Sequence, residues 1–238
     1  MIFGAILAGG IGSRMNIQDM PKQFLPLGDK PILVHTLEKF ALCSDIDEIF
    51  IGAHPNWIQH TKDLVKKYIP DSCEHIHVVA GGKDRNETII HIIEAVEKEY
   101  GENDENIIIT HDSVRPFVTL RILKDNIEAA KKHGACDTVI SATDTIVVSE
   151  NGKTITNIPE RRLMYQGQTP QTFRISLLKN LYNTLSEEEK NVLTDACKIC
   201  TVRNTPVQLV KGEASNIKIT TISDYKIANA IIGGNIID

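Results

Sequence analysis

No apolar run in this sequence approaches the roughly 18 to 20 residues needed for a membrane-crossing helix. The first candidate, Ile2 to Ala8, breaks at once into Gly9-Gly10. The same start lacks the basic leader and small-residue cleavage site of a secretory signal, since the first basic residue, Arg14, follows the apolar run. The expectation is a cytoplasmic protein with no membrane partner. Cysteine is scarce and odd in number: Cys43, Cys73, Cys136, Cys197 and Cys200 fall at unrelated spacings, which suits a reducing compartment rather than a disulfide framework. Cys197-x-x-Cys200 lacks the second pair or spaced histidines of a zinc site and the strand context of a thioredoxin-like motif, so both are expected on a helix, buried or half-buried. Positive charge is not in excess either. With 26 Lys and Arg against 31 Asp and Glu, the net charge of -5 argues against a protein that coats nucleic acid. Small anions are still allowed, because basic residues can gather in one cleft. Only 9 prolines and 15 glycines in 238 residues exclude collagen, low-complexity and disordered readings.

What is present is a chain that can bury a sizeable core, 42% hydrophobic and 24% charged, read as one α/β domain over 1–238. Apolar, β-branched runs at Ile2 to Ala8, Ile46 to Ala53, Ile76 to Ala80, Ile107 to His111 and Thr138 to Ala142 read as strands. Between them, Leu33, Leu37, Phe40 and Ala41 line one helix face and Ile89, Ile92, Ile93 and Val96 another. Thr119 is placed to cap a third helix, carrying Leu123, Ile127 and Ala130. Continuous apolar strands alternating with helices predict a Rossmann-like, mostly parallel sheet with helices on both faces. The rhythm changes after Asp144. Ile146 to Val148, the turn Glu150-Asn151-Gly152 and Thr154 to Ile158 predict a β-hairpin, so 143–168 reads as a protruding β-arm. Helices near 175 to 200, strands at Val207 to Val210 and Ile217 to Thr220, and a last helix capped by Ser223 with Ile227, Ala230 and Ile231 inward complete the reading.

The first strand runs into Gly9-Gly10-Ile11-Gly12-Ser13-Arg14, and glycines at the end of a first parallel strand let backbone N–H groups approach a phosphate. No Gly-Lys-Ser/Thr follows, so this is not a Walker A loop. Met15 stands where a dinucleotide fingerprint has its third glycine, which disfavours an NAD-dependent reductase. A tight turn accounts for the glycines alone; together with Arg14 and Lys22 they suit a polyphosphate. Lys218, in a short apolar strand, needs an anionic partner. Asp112 ends a buried strand at the edge where such sheets bind ligands; a helix cap is the lesser reading of an aspartate there. His35, His54, His60, His91 and His133 share no ligand spacing and read as structural or solvated. No protein metal cage is visible.

Leu7-Ala8-Gly9-Gly10-x-Gly12-Ser13-Arg14-Met15 with Pro21-Lys22-Gln23-Phe24-Leu25 resembles the signature of sugar-phosphate and alditol-phosphate nucleotidyltransferases, specifically the cytidylyltransferase branch. Gly81-Gly82-Lys83-Asp84-Arg85-Asn86-Glu87-Thr88, His111-Asp112-Ser113-Val114-Arg115-Pro116, Asp144-Thr145, Gln168-Thr169-Pro170-Gln171 and Asn216-Ile217-Lys218-Ile219-Thr220 follow in the family's order. Within the branch, the sequence is more similar to ribitol-5-phosphate cytidylyltransferases than to methylerythritol phosphate cytidylyltransferases. Pro21 to Leu25, His111 to Phe117, Met164 to Gln171 and Thr194-Asp195-Ala196-Cys197-Lys198 carry that preference, with Val114 where the isoprenoid enzymes usually have alanine.

The resemblance implies transfer of a cytidylyl group from CTP to D-ribitol 5-phosphate, for teichoic acid or capsule synthesis, with methylerythritol phosphate as the alternative acceptor. It implies that Arg14 and Lys22 stabilise charge growing on the phosphates, that Lys218 sits at the α-phosphate, and that Arg161 holds the acceptor's phosphate. It assigns CTP binding to Leu7, Ala8, Gly9, Gly10, Gly82, Lys83, Asp84, Arg85, Asn86, Glu87, Thr88 and Ser113, and acceptor binding to Asp112, Arg115, Thr145 and Thr169. Arg161 lies on the arm, so a homodimer through 143–168 is implied, each arm reaching the other subunit's site. Mg2+ would arrive with CTP, and a ribulose-5-phosphate reductase would be the partner that supplies the acceptor. A non-catalytic nucleotide-binding regulator on the same fold is the competing class; four cations at one site argue against it.

Overall fold

The computed structural model describes residues 1–10 and 20–234. In chain order the strands are β1 (Ile2–Ala8), β2 (Pro26–Leu27), β3 (Lys30–Pro31), β4 (Glu48–Ala53), β5 (Ile76–Ala80), β6 (Ile107–Asp112), β7 (Ala135–Ser141), β8 (Tyr165–Arg174) and β9 (Gln208–Lys211). The α-helices are α1 (Ile32–Ala41), α2 (Ile58–Tyr68), α3 (Arg85–Tyr100), α4 (Leu120–His133), α5 (Ile175–Asn183), α6 (Glu187–Asn191), α7 (Cys197–Val202) and α8 (Ile222–Ile232). Seven strands make one sheet in the order β5-β4-β1-β6-β8-β7-β9, with β2 and β3 paired separately. Every pairing in it is parallel except those of β8, which runs against both β6 and β7.

Residues one step apart on the central strands serve opposite layers, as the pleat requires. Ile6, Ile49, Ile51 and Ile109 pack with Leu33, Leu37 and Phe40 of α1 and with Leu123 and Ile127 of α4. Phe3, Ala5, Phe50 and Ile108 pack on the other face with Ile89, Ile92, Ile93 and Val96 of α3, Leu178 of α5 and Cys197 and Cys200 of α7. Both faces are therefore covered, which is why these strands read as unbroken apolar runs. Thr119 caps α4 as expected, its hydroxyl accepting from the Ile122 N–H at 3.4 Å.

Four expectations need correction. The arm carries no hairpin strands: a single bridge joins Val148 and Asn157, and Asn151 Oδ1 instead accepts from the backbone N–H groups of Lys153 and Thr154. The alternating apolar side chains have no second layer to bury against, and Val147, Ile155 and Leu163 are 49%, 60% and 59% exposed. Second, the arm ends earlier than 168, because β8 begins at Tyr165 and Gln166 and Gly167 already pair with β7. Third, Ile217 to Thr220 is no strand; it is held by Ile219 N–H on the Val114 carbonyl at 2.9 Å. Fourth, Thr221, not Ser223, caps α8 in a capping box with Asp224, and Ala228 faces inward while Ile227 and Ala230 are exposed.

Gly52 sets how closely α3 lies on the sheet. A Cβ there would collide with Thr88 Cγ2 and stand 3.1 Å from Ile92 Cδ1. Gly52→Ala is expected to cost about 1–3 kcal/mol by overpacking and, through Thr88, to disturb the loop before α3. Denaturant melts of the purified variant would show the loss, and unchanged stability would mean that α3 can shift freely.

Candidate active site

The carboxyl ends of β1 and β6 open into a hollow of about 300 Å3, at the crevice where ligands settle in open α/β sheets. Its lining includes Leu7, Gly9 and Gly10 from the end of β1, Lys22 and Gln23 beyond it, Gly82, Lys83, Asp84, Arg85 and Thr88 from the start of α3, Asp112 and Ser113 from the end of β6, and Lys218. Twelve of the residues singled out in the sequence thus meet in one place. Arg14 lies outside the described residues. A larger hollow of about 790 Å3 runs along β5, α2 and α3, lined by Phe50, Lys62, His77 and Glu99 among others, and has no glycine loop.

Asp112 is the electrostatic centre. Lys218 Nζ is 3.0 Å from its Oδ2, Arg115 Nε 3.2 Å from the same atom and Arg85 Nε 3.8 Å from Oδ1. Burial alone would raise this carboxyl, but the charges of Arg85, Lys218 and Arg115 reverse that and hold it well below the usual carboxylate range. Lys218 reaches it because Asn216, fully buried, donates to the Thr169 carbonyl at 2.9 Å and gives its own carbonyl to Arg115 Nη1 at 2.8 Å.

His111 fixes the same corner from beneath. The Asp112 N–H donates to Thr169 Oγ1 at 3.2 Å, which leaves the threonine hydroxyl proton for His111 Nδ1 at 2.9 Å. Nε2 therefore carries the ring proton and donates to the Arg115 carbonyl at 3.1 Å. Complete burial pushes the imidazole down to about 4, so it is neutral near pH 7.

Several expected ligand contacts are spent internally. Thr169 and Arg115 are buried, do not line the hollow and bond as just described, so they brace Asp112 from within. The Thr88 hydroxyl accepts from Gly82 N–H at 3.0 Å and donates to the Asp84 carbonyl at 2.7 Å, while Asp84 caps α3 by accepting from Glu87 N–H at 2.9 Å. Glu87 in turn accepts from Lys83 N–H. These side chains shape the loop that lines the hollow with Gly82, Lys83, Asp84, Arg85 and Thr88. Ala8 is buried, as is Asn86, and neither lines it. Thr145 and Arg161 are exposed on the arm and do not line this chain's hollow; Arg161 Nη1 donates to the Thr143 carbonyl, whereas neighbouring Arg162 pairs with Glu160.

Sequence reasoning passed over three residues. Gln23 is buried, and its Nε2 donates to the carbonyls of Ala8 and Gly10 at 2.8 and 3.0 Å, tying the glycine loop to the Lys22 segment. Asn216 and His111 are the others. The available signal was a polar side chain inside an apolar stretch, which burial obliges to find a partner. Among the described residues, no group of three His, Cys, Asp or Glu side chains is placed to hold a metal ion, and none of the helices is long and apolar enough to cross a membrane.

A model of the family described as 2-C-methyl-D-erythritol 4-phosphate cytidylyltransferase matches residues 2–234. Among solved structures, a 4-diphosphocytidyl-2C-methyl-D-erythritol synthase from Anaerococcus prevotii is 27% identical with a TM-score of 0.80, covering 98% of this chain and 96% of that one. The 2-C-methyl-D-erythritol 4-phosphate cytidylyltransferases of Thermus thermophilus (26%, TM-score 0.75, 97% and 98% covered) and Francisella tularensis (25%, 0.77, 96% and 98%) are similar.

Asp112→Asn would leave three cations around a neutral group, and breaking such a buried set costs about 3–5 kcal/mol. Because the folded carboxyl lies below its unfolded value, its stabilisation is present above the ordinary aspartate range and is lost as pH falls through and below that range. Wild type should therefore outlast the variant near neutrality and converge on it in acid. Thermal melts against pH check this; a gap independent of pH would mean that Asp112 is not ionised in the fold.

Proposed function

The chain belongs to the 2-C-methyl-D-erythritol 4-phosphate cytidylyltransferase family and is a CTP-dependent cytidylyltransferase; on that premise we propose that the hollow joins CTP to the phosphate of a short polyol phosphate. The observation that carries this reading is one buried carboxylate, Asp112, flanked by Arg85, Arg115 and Lys218 at the mouth of the glycine loop. Lys218 and Lys22 line the space a triphosphate would enter, and Asp112 keeps Lys218 oriented until the substrates arrive. A phosphate oxygen of the acceptor attacks the α-phosphorus of CTP in line; the new O–P bond forms as the bond to the β-phosphate breaks, and pyrophosphate departs with that electron pair. Positioning and charge neutralisation supply the catalysis, so no covalent nucleophile is required. Lys22, with Arg14, meets the charge that develops on the leaving phosphates. Mg2+ would be held chiefly by the CTP phosphates, since the hollow's Asp112 is already matched by three cations.

For the acceptor, two readings stand on different observations. D-ribitol 5-phosphate rests on the sequence blocks from Pro21 to Leu25, His111 to Phe117, Met164 to Gln171 and Thr194 to Lys198 and on Val114, which is buried and lines the hollow; a ribulose-5-phosphate reductase would then supply the substrate, and the product would feed a wall or capsule polymer. 2-C-methyl-D-erythritol 4-phosphate is the acceptor that the comparisons favour, since the family description and the similar structures carry that name. Pyrophosphate release from CTP and magnesium with each acceptor in parallel decides between them. Turnover of ribitol 5-phosphate supports the first reading, turnover of methylerythritol phosphate alone replaces it with the second, and release with neither overturns the reaction. Lys22→Ala should lose turnover far more than stability; near-normal rates would remove its proposed role.

The arm supports a homodimer. Val147, Val148, Ile155, Ile158 and Leu163 are exposed on it, and a second copy would cover them while bringing Arg161 and Thr145 to its neighbour's acceptor. Sedimentation should give a dimer, and Arg161→Ala should raise the acceptor KM with little change in that for CTP. A fully active monomer would overturn the arrangement.

A further inference from the structure

β5 closes one side of the sheet and pairs only with β4. Successive residues of a strand turn their N–H and C=O groups to opposite sides. The Gly81 N–H, just beyond β5, bonds the Ala53 carbonyl of β4 at 2.7 Å, so His77 and Val79 share its direction. The groups of Val78 and Ala80 therefore face away from the sheet, as does the Ile76 N–H, which bonds the Cys73 carbonyl instead. Among the described residues, no hydrogen bond beyond the β4 ladder reaches the backbone of Val78 or Ala80. Natural sheets blunt such edges with lysine, proline or a bulge. β9, the opposite edge, carries Lys211, whereas β5 is Ile-His-Val-Val-Ala in unbroken register with β4.

The hollow of about 790 Å3 runs along this open edge. Ile76 and Val78 pack in the layer of α1 and α2 and Val79 in that of α3, and all three line the hollow. It is thus the slot between the two helix layers that one further strand would fill. Lys62, Val65 and Lys66 line it from α2, and Ala95, Lys98 and Glu99 from α3. The three lysines are exposed and, among the described residues, form no ion pair, while Glu99 stands 3.7 Å from His77 Nδ1.

We propose that this slot takes an extended acidic segment of a partner protein, added to β5 as a strand. Main-chain hydrogen bonds to Val78 and Ala80 hold it, and the side chains of the two lips select its sequence. Alternate residues of an added strand face opposite lips. The α2 lip presents two lysines and no acid among its lining residues, so the positions facing it are acidic. The α3 lip presents Ala95 between opposite charges, with Val79 and Phe50 also lining that side, so the positions facing it are apolar. A sequence that alternates acidic and apolar residues meets both. A second copy of this chain fits poorly, because its own β5 lies between the same lysines and two such edges would oppose like charges. The five residues of β5 offer about 16 Å of edge, a short contact suited to reversible association. Cytidylyl transfer makes no use of this slot, so the inference stands apart from the proposed reaction.

Fluorescence anisotropy with the full chain tests this. The probe is a labelled peptide Glu-Val-Glu-Val-Glu-Val, and its counterpart Lys-Val-Lys-Val-Lys-Val reverses the charge. The acidic peptide should bind saturably, one per chain, and the basic one should not. The double variant Lys62→Glu with Lys66→Glu should weaken binding by about tenfold or more, since two rim charges are reversed, and should melt as wild type does. Hydrogen exchange followed residue by residue by NMR locates the contact. Bound peptide should slow the amides of Val78 and Ala80 and leave those of His77 and Val79, already bonded to β4, as they were. No saturable binding up to about 1 mM peptide, equal binding by the lysine variant, or unchanged exchange at Val78 and Ala80 overturns the proposal. Slow exchange of those two amides in the free protein would mean that a second copy fills the slot, and overturns it as well.

Discussion

The carboxylate of Asp112 is withdrawn from water at the end of β6, which would be unfavourable for any isolated anion. Three cations offset the loss, and each is brought from a different part of the chain: Arg85 from the start of α3, Arg115 from the turn after β6 and Lys218 from the segment before α8. The requirement to pair this charge therefore pins three loops to one strand end. His111 and Thr169 extend the constraint to β8, since the hydroxyl that receives the Asp112 N–H also holds the neutral imidazole. Charge, tautomer and loop placement form one connected arrangement.

The sheet supplies the rigid frame for it. With α1, α2 and α4 on one face and α3, α5 and α7 on the other, β1 and β6 are covered throughout and only their carboxyl ends are available for chemistry. The close approach of α3 over Gly52 puts its first turn at that edge. There the loop from Gly82 to Thr88 satisfies its own polar side chains while lining the hollow. Such a frame suits a reaction that asks for orientation and fixed charge rather than for a nucleophile.

Much of this was legible in the residues. Strands buried on both faces are continuous apolar runs, and helices one face of which is buried repeat every three or four residues, so the layers followed from periodicity. The glycine loop, Lys22, Asp112 and Lys218 were legible because each is a residue type that the surrounding apolar sequence does not explain. The arm misled, because Ile146 to Ile158 alternates as a strand would while having nothing to pack against in this chain. Thr169 and Arg115 lie beside Asp112 yet bond inward, a distinction that depends on where neighbouring carbonyls and rings end up and leaves no trace in spacing. Gln23 and Asn216 were given no role for the same reason: a buried polar side chain is identified by its partners, and those are distant in sequence.

The antiparallel direction of β8 has a geometric consequence for the arm. β7 runs parallel to β6 and ends at the substrate edge with Ser141, and β8, entering from that edge at Tyr165, runs back between the two. The excursion therefore leaves and returns beside the hollow while contributing no strand to the sheet between those points. Its length and composition can change in evolution without altering the register of any strand that carries Asp112 or the glycine loop. The arm and the strand ends that line the hollow are thereby separable variables of one scaffold.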